Sequence, residues 1–280
     1  MDSHSPKGKI AILENTFYTV RSLRLEILAH LTKLGYEVHI LSTGPEEDKQ
    51  KLEHLGYNCL DVGSVVMNPI KALTFFYNLL RLISKTKPNI IFSFTVRPNI
   101  FGSIAARILH IPIVSNVTGT GPLIEDRSLL YKAIRLFYKI AFRKNQRIFF
   151  QNKDDYNYFL AKNFVRKSQS KLLPGSGVDT EFYKPVQKTN SDFVFLMISR
   201  LVIDKGVVNF VEAAKIVKEK FPSIRFQLLG PFWTQSISKN TMLQKYYAQT
   251  TKDIIIESGA RKILGAYNIS KLIIPGWADE

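Results

Sequence analysis

The sequence is short of cysteine, of long apolar runs, of glycine-rich phosphate loops and of acidic residues, and each shortage removes a class of protein. Cys59 is the single cysteine of 280 residues, so an intrachain disulfide framework is impossible and a reducing compartment is expected. No apolar stretch approaches the ~18–20 residues that span a bilayer. The opening segment Met1–Lys9 (MDSHSPKGK) lacks the apolar centre of a secretory signal. A cytosolic protein, or one peripheral to a membrane, is expected. Glu14–Val20 (ENTFYTV), which follows the first apolar run, contains no glycine. The G-x-G-x-x-G loop of a nicotinamide-dependent dehydrogenase is therefore missing. No internal repeat, low-complexity tract, helix-turn-helix, zinc or RNA-binding signature is visible, so nucleic acid is not expected as a partner.

The acidic shortfall leaves a large positive balance. Lys plus Arg number 39 against 23 Asp plus Glu, a net charge of +16. That excess favours polyanions, whether nucleic acid, anionic lipid or phosphorylated ligands, and alone does not choose among them. Apolar residues make up 45% of the chain, enough for a sizeable core.

Short apolar runs alternate with amphipathic stretches along the first half. Runs at Lys9–Leu13, Glu37–Leu41, Asn58–Val62, Ile90–Phe94, Ile113–Val117 and Arg147–Phe150 read as strands. Between them, Val20–Leu34, Pro45–Leu55, Pro69–Lys85, Pro98–Leu109, Leu129–Lys144 and Asp154–Asn163 read as helices, the first stopping at Gly35. This alternation predicts an α/β, doubly wound parallel sheet. Gly, Pro and polar residues cluster at Pro174–Asn190, which marks a boundary between a first domain, 1–180, and a second, 181–280. The second opens as strand Phe193–Ile198, helix Val207–Lys220 and strand Ile224–Leu229. Beyond Gly230 the periodicity weakens, and Trp233–Thr251 has no clear period.

Arg200 and Lys205 fall in the crossover from the first strand to the first helix of the second domain. Two cations beside a helix N-terminus suit a diphosphate. That stretch, ISRLVIDKG (Ile198–Gly206), together with LPGSGVDTEFYKP (Leu173–Pro185), resembles retaining family 4 glycosyltransferases of the GT-B architecture. In the first domain, TVRPNIFGSIAARILHIPI (Thr95–Ile113) and SNVTGTG (Ser115–Gly121) resemble the subgroup that builds capsule, O-antigen or other glycans on polyprenyl diphosphate. Arg97 stands where many members have Lys, and Arg24 matches an Arg at the start of the first helix. The likeness runs from about Lys9 to Gly230.

The resemblance implies transfer of a sugar from a nucleotide-sugar, with retained anomeric configuration and with no cofactor or metal. Arg200 and Lys205 are then the donor-binding pair. Arg97, Thr118, Gly119 and Gly121 are the acceptor-side candidates for a polyprenyl-diphosphate-linked acceptor. The family's E-x7-E element, inside a P-S-x-x-E-G stretch, is not found after Gly230, and no catalytic residue is assigned. The second domain is therefore expected to be partial, and an inactive truncated remnant or pseudo-transferase is the alternative. A sugar-nucleotide epimerase shares the two-domain architecture, but its catalytic carboxylates are not identifiable.

One helix carries a membrane expectation. In Leu129–Lys144, helical spacing puts Lys132, Arg135, Lys139 and Arg143 on one face and Leu130, Ala133, Ile134, Phe137, Ile140 and Ala141 on the other. The apolar face is expected to pack on the domain. The basic face is expected to meet an anionic surface at the cytoplasmic side of the inner membrane.

Overall fold

The computed structural model describes residues 6–63, 69–121, 128–178, 180–181, 193–199, 205–229 and 254–257. The chain divides into two compact units, Met1–Gly177 and Val178–Glu280.

The first unit is a parallel sheet of seven strands. They are β1 (Lys9–Leu13), β2 (Glu37–Ser42), β3 (Asn58–Asp61), β4 (Ile90–Phe94), β5 (Ile113–Val117), β6 (Arg147–Phe150) and β7 (Ser170–Leu172). Their order is β3-β2-β1-β4-β5-β6-β7. The helices are α1 (Phe17–Leu23), α2 (Leu25–Lys33), α3 (Glu46–His54), α4 (Pro69–Thr86), α5 (Val96–Ile108), α6 (Leu129–Phe142) and α7 (Lys153–Ala161). The expected alternation is present, with β7 as an added strand. Three residues from a mixed polar stretch were too few to show a period.

Side-chain alternation along the strands builds two apolar layers. Ile10, Ile12 and Ile40 pack with Phe17, Val20, Leu28 and Leu52 beneath α1, α2 and α3. Ala11, Leu13, Ile91 and Ile113 face the other way, towards Leu79 and Ile83 of α4 and Ala105 of α5. Beyond them an aromatic cluster of Tyr138, Phe142, Phe150 and Phe159 joins α6, β6 and α7.

Two helices depart from the sequence expectation. Val20–Leu34 is not one helix: the backbone of Arg24 turns aside (φ −127°, ψ −3°) and serves as C-cap of α1 and N-cap of α2. Its side chain runs back to a buried carboxylate described below.

In α6 the core face is Tyr131, Ile134, Tyr138, Ala141 and Phe142. Leu130, Phe137 and Ile140, expected to pack inward, are exposed instead. Apolar residues occupy about two thirds of this helix's circumference, so periodicity alone could not show which third meets the sheet. The bulky aromatic set that interlocks with Phe159 takes that place.

In the second unit, β8 (Val194–Ile198), β9 (Arg225–Leu229) and β10 (Ile254–Glu257) form a parallel sheet in the order β10-β9-β8. Helix α8 (Val207–Lys220) connects β8 to β9 and buries Val207, Val211 and Ala214 against Phe226 and Leu228. The backbone of β10 pairs Ile254 with Phe226 and Glu257 with Leu229. A strand therefore lies in the part of the sequence where the period faded.

Candidate functional site

In an open parallel sheet, ligands bind outside the carboxyl ends of the strands where the strand order reverses. Here that point is the seam between β1 and β4. Four connections of the first unit emerge along this edge. They follow β1 (Glu14–Thr16), β4 (Thr95), β5 (Thr118–Gly121) and β6 (Gln151–Asn152).

At the seam the side chain of Glu14 is fully buried and that of Arg24 nearly so, 0% and 3% exposed. Glu14 Oε2 accepts from Arg24 Nε at 3.1 Å, and Oε1 accepts from the Asn15 N–H at 2.8 Å and the Thr95 hydroxyl at 3.3 Å. The Arg24 guanidinium also lies 4.2 Å from the centroid of the Phe94 ring, a favourable cation–π distance. Burial raises the Glu14 carboxyl above its usual range, against the pull of Arg24 and the hydrogen bonds. Thr95, N-cap of α5, holds φ at +67°. A β-branched residue in that region is strained and persists only when its surroundings fix it.

Arg97 sits in the first turn of α5, half-buried. Burial lowers its pKa, though a guanidinium stays charged near neutrality. Behind it, Ser93, Asn99, Ser103, Ser115 and Asn145 form a buried polar chain. Asn99 accepts from Ser93 at 2.8 Å and donates to the Asn116 carbonyl at 2.9 Å. Asn145 donates to Ser103 and Ser115, each at 2.8 Å. Gly102 is needed for close approach, since a Cβ there would stand 2.6 Å from Leu13 Cδ1. The α5 helix is thus pressed onto the sheet and its N-terminal turn held in place.

The Thr118–Gly121 loop is pinned from one side. Thr120 donates to Asp155, and Asn152 brackets the same carboxylate as N-cap of α7. Gly119 and Gly121 take φ of +154° and +54°, and a Cβ at either meets nothing within 4 Å. Gly121 is therefore required by backbone conformation and not by crowding. The side-chain oxygens of Asn15 and Asn116 are buried along this edge without a hydrogen-bond donor among the described residues. Such acceptors are uncommon, and an ordered water or a ligand bringing hydroxyl or amide hydrogens would satisfy them.

The first unit therefore brings Arg97 and the Thr118–Gly121 loop to one edge. It adds Glu14, Thr95 and Asp155, which sequence reasoning passed over. An Asn-x-x-Asp spacing at 152–155 is a helix-start signature that could have exposed the last of these. In the second unit, Lys205 is exposed immediately before α8, at the carboxyl edge of its own sheet. Arg200 lies outside the described residues. Among the described residues, no three His, Cys, Asp or Glu side chains gather to hold a metal ion.

Of the basic residues expected on α6, Lys132, Lys139 and Arg143 are exposed and Arg135 is half-buried. No described helix is long and apolar enough to cross a membrane.

The sequence pattern described as "Glycosyl transferase 4-like" matches residues 9–152, just over half of the chain and nearly all of the first sheet. The chain belongs to the glycosyl transferase 4-like family. One relative, the N,N'-diacetylbacillosaminyl-diphospho-undecaprenol alpha-1,3-N-acetylgalactosaminyltransferase of Campylobacter jejuni, is 24% identical over 242 residues, covering 79% of this chain and 63% of its own. Another, the UDP-Gal:alpha-D-GlcNAc-diphosphoundecaprenol alpha-1,3-galactosyltransferase of Escherichia coli, is 29% identical over 180 residues, covering 58% and 45%. The chain thus spans under two thirds of the length of either. A solved glycosyltransferase from Rickettsia africae superposes with a TM-score of 0.69 at 17% identity, over 94% of this chain and 71% of that one. The fold class is α/β of the GT-B type.

Proposed function

We propose that this family member transfers a sugar from a nucleotide-sugar to a glycan held on a polyprenyl diphosphate, in cell-surface polysaccharide synthesis at the cytoplasmic face of the membrane. One observation carries the reading. Two relatives matched across this chain are both named for acceptors on diphospho-undecaprenol, and the carboxyl edge of the first unit offers what such an acceptor requires. Arg97 supplies a fixed positive charge at a helix N-terminus. The buried oxygens of Asn15 and Asn116 accept from sugar hydroxyls. The Thr118–Gly121 loop exposes backbone groups to a ligand.

The second unit takes the donor. Lys205, before the N-terminus of α8, and Arg200 neutralise the diphosphate as it leaves. In the reaction an acceptor hydroxyl oxygen bonds to the anomeric carbon. The bond from that carbon to the phosphate oxygen breaks, the nucleoside diphosphate takes the electron pair, and the hydroxyl proton passes to the departing phosphate oxygen. Retention of configuration, independence of metal and the anionic membrane surface as a partner belong to the same proposal. The matches to working transferases do not favour the inactive-remnant alternative.

The test is release of nucleoside diphosphate from a panel of nucleotide-sugars, with and without an undecaprenyl-diphosphate-linked acceptor. Acceptor-dependent release is expected, and Arg97→Ala or Lys205→Ala should each lower it by about a hundredfold or more. Release indifferent to both substitutions, or no release with any donor, removes the reading.

A further inference from the structure

The outer surface of α6 differs from that of a solvated helix. Leu129, Leu136 and Ile140 are 81%, 58% and 43% exposed, and at 100° per residue they lie within about 40° of one another. Phe137 and Leu130 flank them on one side. Lys132, Lys139 and Arg143 form a strip on the other, all exposed. Isolated exposed apolar residues need no explanation, but a continuous apolar ridge bordered by cations does.

At its C-terminal end this ridge runs into a groove of about 570 Å³. Three elements deliver four cations to it. Arg107 comes from the last turn of α5, Lys139 and Arg143 from the end of α6, and Arg166 from the turn after α7. Leu136, Ile140 and Phe164 provide apolar walls. Arg107 is oriented by donating to the Ile140 carbonyl at 3.3 Å, and Arg166 by donating to Gln169 at 2.9 Å. None of the four is within ion-pair distance of an acidic side chain among the described residues.

The helix C-termini account for part of this charge, since cations there complement the dipole. They do not account for Arg166, nor for the apolar ridge that leads into the groove. The groove is also separate from the candidate site. It lies at the ends of α5 and α6 remote from the carboxyl edge, its α6 residues about 10–21 Å along the helix from Leu129.

We infer that this groove binds the phosphate of an anionic glycerophospholipid headgroup in a bilayer, while the ridge of α6 seats among the upper methylenes of the surrounding chains. Charge complementarity selects the anion, and the apolar ridge selects a bilayer over a soluble phosphate ester. The inference rests on the membrane-side part of the proposed function and not on sugar transfer, so the two fail separately.

The experiment is flotation of the full chain with phosphatidylcholine vesicles, with and without phosphatidylglycerol. Binding is expected only with the anionic lipid. Replacing Arg107, Lys139, Arg143 and Arg166 together by Gln should weaken it by up to several hundredfold, about fivefold per cation. Replacing Lys9, Lys33, Lys49 and Lys51 by Gln removes the same charge from elsewhere on the first unit and should change binding by less than about tenfold. Leu136→Ser with Ile140→Ser should weaken binding while leaving its salt dependence in place. Equal losses in the two Gln sets would overturn the groove in favour of diffuse attraction. So would equal binding to neutral vesicles, or full competition by soluble glycerol phosphate. Vesicle binding that behaves as expected in a chain without transferase activity would leave the groove standing and remove the sugar-transfer reading.

Discussion

The two units start alike and end differently. Each opens with an apolar strand, crosses over through a helix and returns to a parallel neighbour. In the first unit β1 lies inside the sheet between β2 and β4, with helices over both faces, and Ile10–Leu13 are at most 3% exposed. In the second, β8 is bonded to β9 alone among the described residues, and Phe195, Leu196 and Ile198 are 40%, 43% and 44% exposed. Burial is therefore a property of the layers around a strand and not of the strand. A run of apolar residues becomes a core only when both neighbours and both covering helices are supplied.

The contrast can be broken most directly by amide hydrogen exchange. The β1 and β4 amides should exchange slower than those of β8 by about a hundredfold or more, since edge strands with exposed side chains open locally at lower cost. Equal rates would mean that the two sheets share one cooperative core.

A smaller effect tests what holds the first unit's interior together. Arg24→Met leaves Glu14 buried without its cation and should cost about 3–5 kcal/mol in urea unfolding. Pairing it with Glu14→Gln should restore much of that. Full loss in the double variant would show that packing, and not charge, is at stake. The pH dependence has a definite sign. The folded carboxyl of Glu14 is raised above 4.5, so the folded chain takes up its proton first. The stability difference between the parent chain and Glu14→Gln should shift in the parent's favour as pH falls towards 4.5, and be lost as pH rises through the folded value. The smallest change sharpens the layer argument. Gly102→Ala drives a methyl towards Leu13 and should destabilise by about 1–3 kcal/mol, reduced by up to ~1 kcal/mol of helix propensity. An unchanged melting temperature would mean that Leu13 has room to move.

Much of this architecture is legible from residue patterns. Alternation of short apolar runs with helical periods located six of the seven strands in the first sheet, because each run carries side chains for a buried layer. Arg97 and the 118–121 loop stand out only through the family resemblance, and Lys205 through its place in a strand-to-helix crossover. Glu14 was not, because a carboxylate after a strand reads as a solvated loop residue until Arg24 and Thr95 are seen to close over it. Strand β10 was missed because its four residues stand between segments without a period. The orientation of α6 was misread for the opposite reason, an excess of apolar residues that satisfies more than one face.

The seam between β1 and β4 also fixes when the carboxyl edge comes into being. Lys9 and Glu37 are neighbours across β1–β2, a short loop to close. The β1–β4 contacts join residues 80 and 81 positions apart, as in the Lys9–Asn89 and Glu14–Thr95 hydrogen bonds. Long loops close at greater entropic cost and later in folding. A nascent chain that has emerged only through β3 can already pair three strands, yet it holds no crevice, because one wall of the crevice has still to be synthesised. The carboxyl edge at this seam is thus assembled after the scaffold beneath it.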